Sequence, residues 1–362
     1  MWVYKAGWAK QNDFIFPSDF KPSTFISVII PARNEADNIR ACISSILAQE
    51  YPQHLLEIIV VDDHSTDSTA AIVKEYNGLN VHCISLSDHL DAGKKIVAYK
   101  KAALAAGITQ SRGSLIATTD ADCIAHKLWL LNMAAIYEME RPAMIVAPVI
   151  YATDHSVVQI FQLIDFMSMQ GITAAAHRLK LGNMSNGANL AFSKAAYMLV
   201  QGYKGIDHLA SGDDLLLMVK MKKVKAGKIS YLKSPEAIML TKPQPDWKSF
   251  FRQRIRWASK SGKYGDHRLT FILLLVYLFN LAFPVLLVAG IFNADHLYIA
   301  CMMFVIKVAA EYLFLEPVAK FFRKQWIFGS FFFLQPLHIL YIIVAGFLGF
   351  VGGYEWKGRR VR

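Results

Sequence analysis

The 362 residues are enough for one large domain with an appendage or for two domains. Hydrophobic residues make up 54% of the chain and their excess lies in the last hundred positions, a distribution unlike that of a purely water-exposed protein. The formal charge of +11 comes without a recognisable nucleic-acid module, and Cys42, Cys83, Cys123 and Cys301 lack metal-type spacing, which argues against a nucleic-acid binder, a zinc site and a disulfide framework.

Met1 to Phe20 is aromatic and mixed in charge, so no cleaved signal is expected, and Met1 to Thr24 is too polar to cross a bilayer. From about Phe25 to Thr241, short β-rich runs alternate with helical stretches, which predicts an α/β sandwich around a mostly parallel sheet. Phe25 to Ile30 and Glu57 to Val61 read as buried strands. The helix between them repeats apolar residues at Ile39, Ile43, Ile46 and Leu47. Asp67 and Ser68 cap a second helix to about Tyr76, and Val81 to Ile84 forms a third strand. A helix from about Lys94 to Ala106, ended by Gly107, precedes a fourth strand at Ser114 to Thr118.

Ligands of such sheets gather at the carboxyl ends of the strands. Those ends carry Pro31-Ala32-Arg33-Asn34-Glu35, Asp62-Asp63-His64-Ser65 and Asp120-Ala121-Asp122. Each alone reads as a turn; three together at one edge point to a ligand. Asp-x-Asp suits a hard divalent cation that also bridges phosphate oxygens, Mg²⁺ or Mn²⁺. Asp213-Asp214 opens an amphipathic helix, where the dipole favours carboxylates and simple capping is the alternative. Asn186-Gly187-Ala188-Asn189 reads equally as a turn before a strand. Gln253-Arg254-Ile255-Arg256-Trp257 places two cations and an indole on one helix.

In this order, Pro31 to Glu35, Val61-Asp62-Asp63, Thr119-Asp120-Ala121-Asp122, Gly212-Asp213-Asp214 and Gln253-x-x-Arg256-Trp257 resemble the inverting family 2 glycosyltransferases of the GT-A fold, over about Phe25 to Trp257. Within that family the chain is similar to membrane enzymes of the ceramide glucosyltransferase and hyaluronan synthase type. The resemblance implies a mixed, mostly parallel sheet flanked by helices, followed by C-terminal transmembrane helices. It implies that Pro31, Arg33, Glu35 and Asp63 border the nucleoside of a UDP-sugar, with Asp63 accepting from uracil and Asp62 supporting it. Lys100 falls where the family has a Gly-Lys pair, yet Tyr99 replaces the glycine and Gly93-Lys94-Lys95 lies six residues earlier. Lys94 and Lys100 are therefore both candidates for the donor contact. Asp120 and Asp122 would face donor and metal, Asp122 as direct ligand. Asp214, beside Asp213, would be the general base and Arg256 the diphosphate contact. Gln253 and Trp257 would line the acceptor, and Asn186, Gly187 and Asn189 would touch donor sugar or acceptor.

Leu269 to Phe292 holds no charged residue across 24 positions, where a span needs about 20. Leu297 to Val318, with Lys307 and Glu311 one turn apart and able to pair, is a second candidate, and Trp326 to Gly353 a third. The third has Gln335-Pro336 in its middle, and a re-entrant hairpin there would return the basic tail to the cytosol. Eight Lys or Arg against two acids between Lys242 and Arg268 mark a cytosolic flank. The expected layout is an N-terminal extension (1–24), a cytosolic GT-A domain (25–241), an interfacial helix (242–267), a membrane domain (268–353) and a tail (354–362). That describes a multi-pass protein, of bacterial inner-membrane type. Val157 to Met169 reads as an interfacial helix or as core. A diphosphate-binding helix directly before a span favours a membrane lipid acceptor. The expected partners are thus that lipid, the bilayer and a nucleotide sugar, with no nucleic acid; sugar, lipid and oligomeric state are not encoded. The rivals are a processive polysaccharide synthase, a polyprenyl-phosphate transferase and a catalytically silent scaffold of the same fold.

Overall fold

The computed structural model describes residues 1–90, 96–153, 155–182, 184–210, 212–259, 267–351, 354–356 and 359–361. The chain begins with α1 (Trp2–Lys10), β1 (Ile26–Ala32), α2 (Ile39–Leu47), β2 (Leu56–Asp62), α3 (Thr69–Lys74), β3 (Val81–Ser85), α4 (Tyr99–Gln110) and β4 (Leu115–Thr118). It continues with β5 (Ile124–Ala125), α5 (Trp129–Glu140), β6 (Met144–Val146), β7 (Val149–Tyr151), α6 (Val157–Leu179), β8 (Leu190–Ser193), α7 (Lys194–Leu199), α8 (Asp213–Lys223), β9 (Ile229–Tyr231) and β10 (Met239–Thr241). It ends with α9 (Trp247–Ala258), α10 (His267–Ala289), α11 (Ala294–Phe321), α12 (Phe328–Val351), β11 (Tyr354–Trp356) and β12 (Arg359–Val361).

Two compact units divide these elements: Asn12–Ile150 with Met184–Lys242, and Met1–Gln11 with Tyr151–Asn183 and Pro243–Arg362. Helix α6 falls in the second of these units. Its Phe161, Leu163, Phe166 and Met167 are buried, and it packs on α11 and α12, so Phe161 to Met167 is core of the second unit while Val157 is exposed. Residues 1–11 join that unit too, with Trp8 buried against Phe321.

The first unit is built on a seven-stranded sheet of order β3-β2-β1-β4-β8-β6-β9, with β5, β10 and β7 forming a second, three-stranded sheet. Strands β3, β2, β1 and β4 run parallel, β8 is antiparallel to β4 and β6, and β9 is parallel to β6. Ile26, Val28, Ile29 and Ile30 on β1 and Ile58 to Val61 on β2 are all buried, the continuous apolar run of strands covered on both faces. On α2, Ile39, Ile43 and Ile46 fill the layer above, as their spacing predicts. The helix expected to stop at Gly107 instead starts at Tyr99 and runs to Gln110. Gly107 sits in its interior because a Cβ there would lie 2.6 Å from Ile29 Cγ2, so it permits close packing on β1 rather than ending the helix.

In the second unit, Thr270–Ala289, Ala294–Phe321 and Gln325–Val351 are long and apolar enough to cross a membrane. The hairpin expected at Gln335-Pro336 is corrected, because α12 runs unbroken through Pro336. Proline removes one N–H and its carbonyl partner's bond, a loss that a long apolar helix in packed surroundings tolerates. Lys307 and Glu311 pair across one turn of α11 at 2.8 Å.

Candidate active site

The parallel register sets Pro31 beside Val61 and Ala32 beside Asp62, so the loops after β1 and β2 leave the sheet side by side. Asn34 and His64 take left-handed conformations there, with φ of 53° and 55°. Asn34 N donates to Ser65 Oγ at 3.0 Å, and Thr66 N donates to Asn34 Oδ1 at 2.8 Å, which ties one loop to the other. Arg33 Nη1 donates to the Asp63 carbonyl at 3.2 Å and lies 3.8 Å from Asp63 Oδ1. His64 Nδ1 is 2.9 Å from the same oxygen, with its ring edge-on to Tyr99. Burial pushes the Asp63 carboxyl up, against the opposing pull of His64 and Arg33. Asp62 Oδ2 accepts from Ser65 N at 3.3 Å, while its Oδ1 is buried without a protein hydrogen bond. Glu35 is held by Thr69 Oγ1 at its N–H and by Asn38 at its carboxylate.

A second group gathers residues more than ninety positions apart. Lys100, on α4, donates to Asp120 Oδ1 at 2.7 Å and lies 3.4 Å from Asp213 Oδ2. Burial opposes the charge on Lys100, but Asp120, Asp213 and Asp214 outweigh it and hold the ammonium well above its ordinary pKa. Gly187 completes the contact: a Cβ on it would meet Asp213 Oδ2 at 3.0 Å and Lys100 Nζ at 3.4 Å. Gly212 precedes α8 with φ of 76°, and Asp213 and Asp214 occupy the helix's first turn. Asp214 is the more open of the two, its Oδ1 accepting from Leu215 N at 2.7 Å.

Asp122 is pushed up to about 6 by burial, then by Asp120 and Glu35. A carboxyl pushed up by neighbouring acids marks a place where a cation is favoured. Among the described residues no three His, Cys, Asp or Glu side chains cluster as a metal site. The oxygen pair Asp120 and Asp122 nevertheless fits Mg²⁺ or Mn²⁺, which such sites hold with one or two carboxylates plus substrate phosphates. Lys94 lies outside the described residues.

The "Glycosyl transferase family 2" model matches residues 27–193, and the "Glycosyl transferase family group 2" model matches 115–351, well over half of the chain. The chain is a family 2 glycosyltransferase. Glycosyltransferase AglE of Haloferax volcanii is 37% identical over 106 residues, 29% of this chain and 33% of that protein. Beta-monoglucosyldiacylglycerol synthase of a Nostoc species is 29% identical over 121 residues, 32% of this chain and 24% of that protein. The matched region is thus a third or less of each relative's own length. A mannosyltransferase from Pyrobaculum calidifontis, solved with GDP-mannose and Mn²⁺, superposes with a TM-score of 0.59 at 18% identity, covering 97% of this chain and 93% of its own. That likeness establishes the GT-A fold.

Within this glycosyltransferase, Asn189 is expected at the donor sugar or acceptor. It is fully buried, donates to the carbonyls of Pro148 and Ala237 at 2.7 Å each, and accepts from Trp129 Nε1 at 2.8 Å. Its amide is spent on tying three loops together. Asn186 forms the turn before β8, its Oδ1 accepting from Ala188 N. Gln253, Arg256 and Trp257 share one turn of α9 in the other unit. Lys101 escaped notice in the sequence. It is buried and donates to the carbonyls of Ile206 and Leu209 at 2.7 and 2.6 Å, which fixes the loop leading to Asp213 and Asp214. Its neighbour Lys100 carried the motif, and nothing local marks one of two adjacent lysines as buried.

Proposed function

We propose that this family 2 enzyme transfers a sugar from a UDP-sugar to the hydroxyl of a membrane lipid at the cytosolic face, by metal-assisted single displacement with inversion. The observation that supports it most is the contact of Lys100 with Asp120 and Asp213, with Gly187 against both, which joins the donor, metal and base motifs in one cluster.

The buried Asp63 carboxylate accepts the imide N–H of uracil, held in place by Arg33 and supported by Asp62, with Pro31 and Glu35 bordering the base. Asp122 and Asp120 would hold Mg²⁺ or Mn²⁺, which when bound would supply charge neutralisation for the departing nucleoside diphosphate. Asp214 takes the proton of the acceptor hydroxyl as that oxygen bonds to the anomeric carbon and the bond to the diphosphate breaks. Lys100 keeps Asp213 charge-balanced, and the more open neighbouring Asp214 serves as the base. Gly187 presents bare backbone where a side chain would crowd Asp213. For α9, the family resemblance assigns Arg256 to the diphosphate and Gln253 and Trp257 to the acceptor.

The lipid acceptor rests on the three long apolar helices and on the likeness to the Nostoc relative, a beta-monoglucosyldiacylglycerol synthase. The cytosolic orientation rests on the basic excess between Lys242 and Arg268. The test supplies purified enzyme in lipid nanodiscs with a panel of labelled UDP-sugars, with and without chelator, and analyses the lipid extract by mass spectrometry. A glycolipid that disappears on chelation is the expected product. Label confined to water-soluble product, or to chains of many sugars, would sink the proposal, the latter in favour of a processive synthase.

A further inference from the structure

The second unit contains a line of polar side chains that crosses four helices. Arg254 on α9 is 2% exposed. Its Nε donates to Asp165 Oδ2 on α6 at 2.9 Å, and its Nη2 lies 2.7 Å from the same oxygen. The other Asp165 oxygen stands 3.9 Å from His338 Nε2 on α12. His338 Nδ1 is 3.5 Å from Lys307 Nζ on α11, which also donates to Gln335 Oε1 at 2.6 Å and to Glu311 at 2.9 Å. All lie within the same unit.

Arg254 occupies one of the unspecified positions of Gln-x-x-Arg-Trp, yet it touches two of the named ones. Its Nη1 donates to Gln253 Oε1 at 3.0 Å, an oxygen that also lies 3.5 Å from Tyr151 Oη. The Trp257 ring covers the guanidinium with its centroid 4.2 Å away, and Phe250 covers it from one turn earlier at 4.9 Å. One side chain thereby orients the amide before it and the indole after it.

A buried ion pair adds little net stability, since apolar residues of equal volume often do as well; its attested use is to fix register. The aromatic contacts of α9, Phe250 with Phe161 and Tyr341, tolerate sliding and rotation. Arg254 does not, because turning α9 by one residue would strand a guanidinium and a carboxylate without partners.

We propose that Arg254, anchored by Asp165 and the His338–Lys307 line behind it, is a positioning residue that sets the rotation of α9 and so aims Gln253 and Trp257 at their substrate. This rests on the transfer reaction proposed above. The decisive variant is R254K, which keeps the buried charge beside Asp165 but lacks the planar fork needed to reach Gln253 and stack on Trp257 at once. The full chain is labelled with 5-fluorotryptophan, the Trp257 resonance is assigned by its loss in W257F, and R254K and D165N are compared for that resonance, for thermal unfolding and for transfer kinetics.

The expected result is a displaced or broadened Trp257 resonance in both variants, with kcat lowered about tenfold or more in R254K while its unfolding temperature stays near that of the parent. D165N combined with R254K should be no slower than the worse single variant. An unmoved resonance with kcat within twofold of the parent overturns the proposal. So does a lower unfolding temperature with unchanged kcat per folded molecule, which would make the pair merely structural. If D165N does not fold, R254K decides alone by the same criteria. Assaying the parent on the UDP-sugar panel separates the two ideas: no sugar transfer by the parent sinks the transfer reaction, whereas the Trp257 resonance still answers for the positioning role.

Discussion

Charge is handled oppositely in the two units. At the strand ends of the first, like charges converge: Asp120 and Glu35 help to push Asp122 up to about 6, and Lys100 is shared between two acids. In the second, Arg254 and Lys307 are each buried and matched by acceptors. On the function proposed above, the frustrated charge at the sheet edge is where a charged substrate and cation would be received, and the satisfied charge among helices is what would be held still.

The largest effect should come from D214N. Removing a general base lowers kcat by about 10²–10⁴-fold, while nucleotide binding, measured by calorimetry, stays within a few fold of the parent. Retained turnover would show that the frustrated edge is not the catalytic one. D122N comes next, with kcat/KM down by roughly 100-fold, equivalent to about 3 kcal/mol of lost charge stabilisation. Its companion measurement is nucleotide binding with and without Mn²⁺, and the metal-dependent part should vanish.

N189A probes a satisfied group inside the frustrated unit. It removes three buried hydrogen bonds and should destabilise by about 2–4 kcal/mol in denaturant unfolding, leaving KM for the donor unchanged. A raised KM with intact stability would mark Asn189 as a substrate contact.

Lys101 gives a smaller effect with a definite sign. Burial lowers its pKa to about 8 from 10.5, against the raising influence of Asp213 and Asp214. The unfolded chain therefore binds more protons between those values, and this group makes stability rise with pH from about 8 to 10.5. In K101M that slope should be absent from the pH dependence of unfolding. The smallest effect belongs to K127A. Its pair with Glu50 is exposed on both sides, and stability should change by less than ~0.5 kcal/mol.

How much of this is visible in one sequence depends on how local the cause is. Strands β1 and β2 and the Ile39, Ile43, Ile46 face of α2 could be read directly, because a strand buried on both faces and an amphipathic helix impose their period on neighbouring residues. Asp120 with Asp122 and Asp213 with Asp214 were legible for the same reason, each pair being two residues or fewer apart. Gly107 was misjudged because a glycine needed for close approach looks the same as one that ends a helix. The buried bonds of Asn189 are not legible because its partners, Trp129, Pro148 and Ala237, lie 60, 41 and 48 positions away. The Arg254–Asp165 pair spans 89 positions and was invisible for the same reason. The division at α6 depends on helices that begin more than a hundred residues later.

The stereochemistry of the product tests the central claim most directly. With a donor whose sugar is α-linked to the diphosphate, NMR of the purified product should show a β-glycosidic bond to a lipid hydroxyl, the outcome of one displacement assisted by Asp214. An α-linked glycolipid would contradict it.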